Sequence, residues 1–495
     1  MKTDMTVGSP IRHIVVFMVP LLIGNMFQQF YNMVDTVIVG RYLGVDSLAA
    51  VGSSGSLVFL INGFAIGLTA GFSIIISQHY GAASYDSVKR DFMAAIVMGI
   101  TGTMVLTVIS MIYSKRMLML IRTPAGILEE ADQYLKVIYG GMIATMLFNL
   151  LSNAMRAIGD SRMPLVFLVI SCVANVILDI LFISTFGMGV TGAALATVLA
   201  QLLSVVCCMI HIAKRIEVLH PVRESFLFDR RDVVKQIKMG GSMGFQSSII
   251  SIGGILVQIS LNQLGAIYVA SYTVASKIES IVHMPLISFG LTMATYIGQN
   301  YGANDIGRIR KGVRQCLALS VTFSLVTGVA LILFGYHLVG IFVPGETAMM
   351  ENAQIFLNVS GGLLFVLAIL YVIRYSLQGL GQSMIPTVAG IMELIMRATA
   401  ALVMSENWGF TGICWANPLA WIGACIPLCI AYVVTIRNMI YSQKNLCEID
   451  TKKKREEKKQ HEFDSESGCG WKMRIQSPDK NQKQRFCKHH AGIYR

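Results

Sequence analysis

Apolar residues in this chain fall into runs long enough to cross a membrane. A spanning helix needs roughly 20 predominantly apolar residues for a hydrocarbon core about 30 Å thick, and such runs recur up to about Tyr441. The first run, from Ile14 to Val39, is too long for a cleaved secretory signal, so we expect it to stay as the first helix. We predict an all-α polytopic membrane protein with twelve helices, at about 12–39, 48–78, 92–113, 133–156, 163–185, 191–214, 237–263, 269–299, 314–336, 353–377, 384–405 and 411–440.

Three short motifs recur in the same order at a nearly constant spacing. They are QHYGA at 78–82 with QNYGA at 299–303, GDSRMP at 159–164 with GQSMIP at 381–386, and GVTG at 189–192 with GFTG at 409–412. Each half holds an even number of helices, so both halves start on the same side of the membrane and the repeats are parallel. We expect a six-helix lobe at 1–214, a cytoplasmic linker at 215–236, a second six-helix lobe at 237–440 and a polar, disordered tail at 441–495.

The charges report topology. Hydrophobic residues make up 54% of the chain and charged residues 14%, and the net charge of +12 lies in short loops and in the tail, with no basic face for a nucleic acid. Few cations fall on one side: Arg41, Lys115, Arg116 and Arg122. The other side holds Lys89, Arg90, Arg156, Arg162, the cluster at 214–238, Arg308, Arg310, Lys311 and Arg314. The positive-inside rule therefore predicts an inner-membrane protein with both termini in the cytoplasm.

The cysteines and histidines give no metal pattern. The ten cysteines are scattered, and no pair has the spacing of a zinc site or of a disulfide framework. In the tail, Cys469, Cys487, His489 and His490 do not form a zinc pattern. We expect no cofactor and no bound metal beyond a coupling ion, and we expect the protein to work as a monomer in the lipid bilayer.

Polar residues of three helices converge in the N-terminal half. Asn25, Gln28, Gln29, Asn32 and Asp35 share one face of the first helix, and we take Gln28, Gln29 and Asn32 as cavity-lining candidates. A rise of about 1.5 Å per residue brings Asp35, Asn175, Asp179 and Thr197 to the outer half of the bundle. Two carboxylates in one pocket of low dielectric constant do not both ionise easily, which suits a proton carrier, and sodium would use the same oxygens. Alternatively, the two aspartates only accept hydrogen bonds near the interface.

The C-terminal half does not repeat this pocket, because Arg397 and Ala401 stand where the repeat would place Asn175 and Asp179. Instead Lys277, Glu279, Glu393 and Arg397 lie at comparable depths. We favour a neutral ion-pair network over a direct role in binding, since mutual compensation explains their burial. His283 is a further cavity-lining candidate, and it is as well explained by a core position as by a titrating one.

These residues resemble the multidrug and toxic compound extrusion (MATE) family, in its DinF-type bacterial branch, over roughly residues 5–440. The resemblance is carried by NMVDT at 32–36, GRYLG at 40–44, the two YGA motifs, RAIGD at 156–160 and NVILD at 175–179. It implies two six-helix lobes in a V shape and export of amphipathic, often cationic compounds in exchange for protons or sodium ions. Asp35, Asn175, Asp179 and Thr197 match the family's N-lobe ion site, whereas only Glu279 and Glu393 could serve a C-lobe site.

The sequence therefore favours a cation-coupled antiporter that exports small organic compounds by alternating access. A flippase for lipid-linked precursors is the alternative within transport, and an arginine-lined cavity would favour it. An integral-membrane enzyme would need a nucleophile, base or metal constellation near an interface, and none is evident. The absence of a phosphate-binding Gly-x-x-x-x-Gly-Lys-Ser/Thr motif argues against an ATP-driven pump.

Overall fold

The computed structural model describes residues 4–226 and 228–466, and all regular secondary structure in those ranges is helical. The predicted all-α class is confirmed. The N-terminal half contains α1 (Pro10–Leu43), α2 (Val45–Gly81), α3 (Tyr85–Leu120), α4 (Leu128–Gly140), α5 (Met142–Ala157), α6 (Arg162–Ile180) with a π-helical turn at Leu181–Thr185, and α7 (Gly189–Arg215). The C-terminal half contains α8 (Arg230–Leu264), α9 (Ala266–Gly302), α10 (Ile306–Phe342), α11 (Thr347–Gly379), α12 (Met384–Thr399) with a π-helical turn at Ala400–Met404, α13 (Ser405–Cys414) and α14 (Ala416–Glu466).

Twelve membrane spans account for these helices. Within the described residues eleven stretches are long and apolar enough to span, α12 and α13 together forming one of them. The helices α4 and α5 meet at a 45° bend and together supply the twelfth. Six spans fall in each half, as the sequence predicts.

Several predicted helices were too short. Helix α3 runs over Tyr85–Leu120 where 92–113 was expected, and α10, the ninth predicted helix, runs over Ile306–Phe342 where 314–336 was expected. Hydropathy marks only the apolar centre of a helix, whereas main-chain hydrogen bonding continues through its polar ends. The eleventh span reaches Cys414, so residues 411–414 do not begin the twelfth helix as predicted.

Repeated glycines adopt the same unusual backbone conformation in both halves. Gly44 and Gly265 have φ of 89° and 109°, and Gly159 and Gly381 have φ of 90° and 82°. Positive φ of this kind is readily available only to glycine. The sequence repeat is thus a repeat of structure, in which equivalent turns join equivalent helices.

Each half has its own hydrophobic core. One cluster in the N-terminal half includes Phe92, Leu151 and Phe167, and one in the C-terminal half includes Leu331 and Phe356. The halves meet closely along α2 and α8. A Cβ atom added to Gly67 would lie 2.5 Å from the main-chain oxygen of Met243, and one added to Gly71 would lie 2.5 Å from the Cα atom of Gly240. These glycines let the two helix backbones approach each other.

The linker and the C-terminal region differ from the expectation. Helix α7 ends at Arg215 and α8 begins at Arg230, with 3₁₀ turns at Glu217–Leu219 and Arg223–Phe226, so the connection is shorter than 215–236. Among the described residues, those up to Tyr432 form one compact unit and those from Val433 to Glu466 belong to a second. Helix α14 continues to Glu466 across the boundary at 441, where we expected a disordered tail to begin. The rest of that predicted tail, with Cys469, Cys487, His489 and His490, lies outside the described residues.

Candidate functional site: a buried carboxyl pair in the N-terminal half

Three helices bring the four predicted N-terminal site residues together. Asn175 and Asp179 lie one turn apart on α6, with 1% and 0% of their surfaces exposed. With its amide nitrogen turned toward the carboxylate, Asn175 donates to Asp179 Oδ2 at 2.7 Å and accepts from the main-chain N–H of Thr197 at 3.2 Å. Asp35 of α1 reaches hydrogen-bonding range of Asp179. The depth calculated from helix rise therefore placed these residues correctly relative to one another.

The two carboxyl groups carry unpaired oxygens. Asp35 Oδ1 and Asp179 Oδ1 are both buried and have no hydrogen-bond partner in the described part of the chain. Two ionised carboxylates cannot hydrogen-bond to each other, because each is only an acceptor. A proton shared between them, or a small cation, would satisfy both oxygens.

Two tyrosines that the sequence analysis missed complete the pocket. The Tyr31 hydroxyl lies 3.2 Å from Thr197 Oγ1, which itself donates to the main-chain oxygen of Ala193 at 3.1 Å. Thr197 is therefore the acceptor and Tyr31 the donor. Tyr134 of α4 is 9% exposed and packs with Val190 and Ala194 of α7, the helix that carries Thr197. Tyr31 precedes Asp35 by one helical turn, so a search of the polar face of α1 for aromatic hydroxyls would have found it.

A π-helical turn begins two residues after Asp179. It spans Leu181–Thr185, and the C-terminal half has its counterpart at Ala400–Met404. Such turns insert one extra residue into a helix and often occur at functional sites. The carboxylate of Asp179 lies just before this turn in one half, whereas Ala401, at the equivalent repeat position, lies inside the turn of the other half and carries no polar group.

The other polar residues of α1 have separate environments. Asn25 donates to Ser288 Oγ of α9 at 3.1 Å, which links the two halves. Gln28 donates to Asn32 Oδ1 at 3.4 Å, and both Gln29 and Asn32 are exposed. The predicted cavity-lining candidates therefore lie on the accessible part of α1, next to the carboxyl pair but outside its hydrogen bonds.

The structure corrects the predicted four-residue network of the C-terminal half. Glu393 pairs with Arg374 of α11, a residue that the sequence analysis missed. Arg397 instead donates to the main-chain oxygen of Ile250 at 3.2 Å. The expected pairing failed because it depended on how each helix is rotated about its axis, which depth alone does not fix.

The remaining members of that predicted network are also apart. Glu279 accepts from Ser360 Oγ at 2.6 Å, and His283 Nε2 lies 3.8 Å from Glu279 Oε1. The His283 ring meets the Trp421 ring edge-on at 5.7 Å, as in a packed core position. Lys277 is exposed and takes part in no ion pair among the described residues. The C-terminal half thus contains two small buried polar groups in place of one network.

The two QxYGA motifs close one side of the bundle. We call the side at which α2 and α9 end the motif side. There Gln78 donates to the main-chain oxygen of Gly379 at 2.8 Å, and Gln299 donates to that of Ala157 at 2.8 Å. A Cβ atom on Gly81 would lie 1.9 Å from the oxygen of Gln299, and one on Gly302 would lie 1.8 Å from that of Gln78. The two repeated motifs therefore join the halves.

Comparison with known proteins identifies the family. The sequence profile of the MatE family matches residues 20–181 and 243–403, one segment in each half. The Probable multidrug resistance protein YoeA of Bacillus subtilis is 28% identical over 394 residues, covering 77% of this chain and 84% of that protein. The Multidrug export protein MepA of Staphylococcus aureus is 22% identical over 405 residues, covering 82% and 89%.

Solved structures agree on the fold. The crystal structure of a MATE protein in the bent conformation superposes with a TM-score of 0.82 at 20% identity, covering 89% of this chain and 99% of that one. A variant of the Vibrio cholerae MATE transporter VcmN superposes with a TM-score of 0.81 at 21% identity, covering 87% and 97%. With the profile matched across both six-helix halves, the chain belongs to the MatE family of membrane transporters.

Proposed function

We propose that this protein is a cation-coupled antiporter that exports small amphipathic, often cationic, organic compounds by alternating access. The coupling ion, a proton or sodium, occupies the site formed by Asp35, Asn175, Asp179 and Thr197. The protein works in the bacterial cytoplasmic membrane with the motif side and both termini facing the cytoplasm. The multidrug names of its relatives support the class of substrate.

The observation that carries this proposal is that the buried carboxyl groups of Asp35 and Asp179 lie together without a basic partner in the part of the chain that the structure describes. An ionised side chain at the centre of a membrane helix costs about 2.5–3.5 kcal/mol on insertion scales, so two acids in contact need a compensating charge. No basic side chain pairs with either aspartate in the described residues. A mobile cation that enters and leaves supplies the missing charge.

The closed motif side supports alternating access. Contacts of Gln78 on α2 and Gln299 on α9 hold the halves together on the motif side. The side chains of Gln29 and Asn32 on α1 are exposed. A transporter of two similar halves exposes its central cavity by breaking such contacts on one side at a time. An ion drives the exchange when its affinity differs between the two arrangements.

Ion flux and substrate efflux in proteoliposomes test the proposal. Wild type, Asp35→Asn and Asp179→Asn are compared with a fluorescent organic cation, first under a proton gradient alone and then under a sodium gradient alone. Asp46→Asn is the matched control, because Asp46 is an exposed acid in the first turn of α2. We expect efflux to follow one gradient in wild type and in the control.

The two site variants decide the assignment. Loss of gradient-driven efflux in both, with normal insertion and purification, supports coupling at the carboxyl pair. Efflux that persists unchanged in Asp35→Asn and Asp179→Asn would show that the pocket is structural. Efflux that follows neither gradient in wild type would instead refute coupled antiport and favour the flippase alternative.

A further inference from the structure

Arg156, in the last turn of α5, has no carboxylate partner. Its Nη1 donates to Asn153 Oδ1 at 3.3 Å, and its Nε is buried without any hydrogen-bond partner. None of the ion pairs in the described part of the chain includes it. Arg156 was expected among the cations of the cytoplasmic side, at the end of the predicted helix 133–156, and the structure places it inside α5 where the two halves meet.

Arg156 lines a cavity between the halves. The cavity has a volume of about 30 Å³, and Arg156 is the only charged residue that the described part of the chain contributes to its wall. Helices α1, α2 and α5 form one side, and α8, α9 and α11 form the other. The local electrostatic potential of this space is therefore positive.

Two hydroxyl groups of the opposite half face the same cavity. Thr295 of α9 and Tyr375 of α11 both belong to its wall. Neither hydroxyl forms a hydrogen bond with the described part of the protein, although most serine and threonine hydroxyls of the spans donate to a carbonyl of their own helix. The cavity thus has a cation from one half and two free O–H donors from the other.

The favourable interaction of Arg156 with the end of its own helix does not explain this arrangement. A cation in the last turn of a helix gains about 0.3–1 kcal/mol from the helix dipole. Removing an ion from water without a partner costs several kcal/mol. The single neutral contact with Asn153 leaves the charge uncompensated, so an anion is the expected partner.

We propose that this cavity binds a small monovalent anion of the halide class. Arg156 supplies the charge, and Thr295 and Tyr375 donate hydrogen bonds from the other half. One cation balances one negative charge, whereas a dianion would remain half compensated. Because the ligands come from both halves, the bound anion stabilises the arrangement in which the motif side is closed. The proposal does not depend on ion coupling at Asp35 and Asp179.

Thermal unfolding of the purified full-length protein tests this site. The unfolding temperature is measured while chloride or bromide replaces gluconate at constant ionic strength. We expect a saturable rise for wild type, as for any ligand that binds only the folded state. Arg156→Gln should abolish the rise, and Thr295→Val should raise the half-saturating halide concentration several-fold. Arg41→Gln, which removes an exposed arginine, is the control and should behave as wild type.

Each result bears on the proposal directly. A halide-independent unfolding temperature in wild type, or an equal rise in Arg156→Gln, would overturn it. Should Arg156→Gln fail to fold, Thr295→Val decides alone, and an unchanged half-saturating concentration would count against the site. Crystals soaked in bromide should show an anomalous scattering peak between Arg156 and Thr295. Bromide peaks at other positions alone would also contradict the proposal.

Discussion

Gln78 and Gln299 occupy equivalent positions of the two repeats, and each donates a hydrogen bond to the main chain of the opposite half at 2.8 Å. Their acceptors, Gly379 and Ala157, are equivalent as well, since both end the fourth span of their half. Gln299 is fully buried and its Oε1 also accepts from the main-chain N–H of Met5 at 3.1 Å. The two glutamines form a symmetric pair of contacts that must break before the motif side can open.

Gln299→Leu is predicted to shift the protein toward arrangements in which the motif side is open. The substitution leaves the Ala157 carbonyl and the Met5 N–H unpaired, and each unsatisfied buried group costs about 1–3 kcal/mol. For one such group that range corresponds to roughly 5- to 150-fold in the ratio of closed to open molecules, which is the smallest shift expected from the loss of both bonds. Spin labels at the exposed positions Tyr85 and Met384, in a background without native cysteines, report the distance between the halves.

Gln258→Leu serves as the control for this measurement. Gln258 is an exposed glutamine of α8 that bonds only to Asn262 of its own helix, at 2.9 Å. We expect a longer or broader distance distribution for Gln299→Leu and an unchanged one for Gln258→Leu. Identical distributions for wild type and Gln299→Leu would show that the glutamine contacts do not hold the motif side closed.

Gly302→Ala is predicted to reduce transport at least tenfold. Its new Cβ atom would lie 1.8 Å from the main-chain oxygen of Gln78, a separation that no relaxation of a side chain can relieve. The halves cannot then close on the motif side, and the cycle stops at that step. Gly254→Ala is the control, because a Cβ there meets nothing within 4 Å and alanine favours the helix by about 1 kcal/mol. Efflux assays in proteoliposomes should separate the two, and equal rates would argue against a close contact in the working protein.

The sequence could predict which residues lie at the same depth, because depth follows from helix rise and apolar run length. Asn175, Asp179 and Thr197 accordingly meet as predicted. Which side chains pair across helices depends on the rotation of each helix, and there the prediction failed for Arg397 and missed Arg374. An unexplained arginine inside a predicted span was the available signal, since an ionisable group at membrane depth requires a partner.

The glycines of the repeated motifs show a second kind of contact that could not be predicted from the sequence. The matching positive φ values of Gly159 and Gly381, which lie in a repeated motif, show that the two halves share an equivalent turn. Nothing local indicates that Gly81 lies against Gln299, because that contact joins residues more than two hundred positions apart. Only the assembled halves show that the turn glycines also allow the close approach.

Tyr31→Phe is predicted to weaken binding of the coupling ion several-fold without abolishing efflux. The variant loses one hydrogen bond to Thr197, worth about 0.5–1.5 kcal/mol, and leaves both carboxyl groups in place. The half-saturating concentration of the coupling ion should therefore rise, while the maximal rate is kept. Tyr42→Phe, at an exposed tyrosine near the end of the same helix, is the control. A wild-type half-saturating concentration for Tyr31→Phe would separate Tyr31 from the ion site.

The Arg374 and Glu393 pair is predicted to be a strong structural contact. Their side chains are 5% and 4% exposed, so removing one partner leaves a buried charge uncompensated, at a cost of about 3–5 kcal/mol. Arg374→Met and Glu393→Gln should each lower the unfolding temperature markedly. The double variant should be more stable than the sum of the two losses implies, because it leaves no buried charge.

The exposed pair Lys115 and Glu129 provides the matched comparison for that cycle. Its nitrogen and oxygen are 2.7 Å apart, but 49% and 65% of the two side chains are exposed. Water screens such a pair, which contributes about 0–1 kcal/mol, so Lys115→Met should change the unfolding temperature little. If the losses of stability in Arg374→Met and Glu393→Gln were strictly additive in the double variant, the two residues would not interact in the folded protein. Each of the two buried charges would then need another source of compensation.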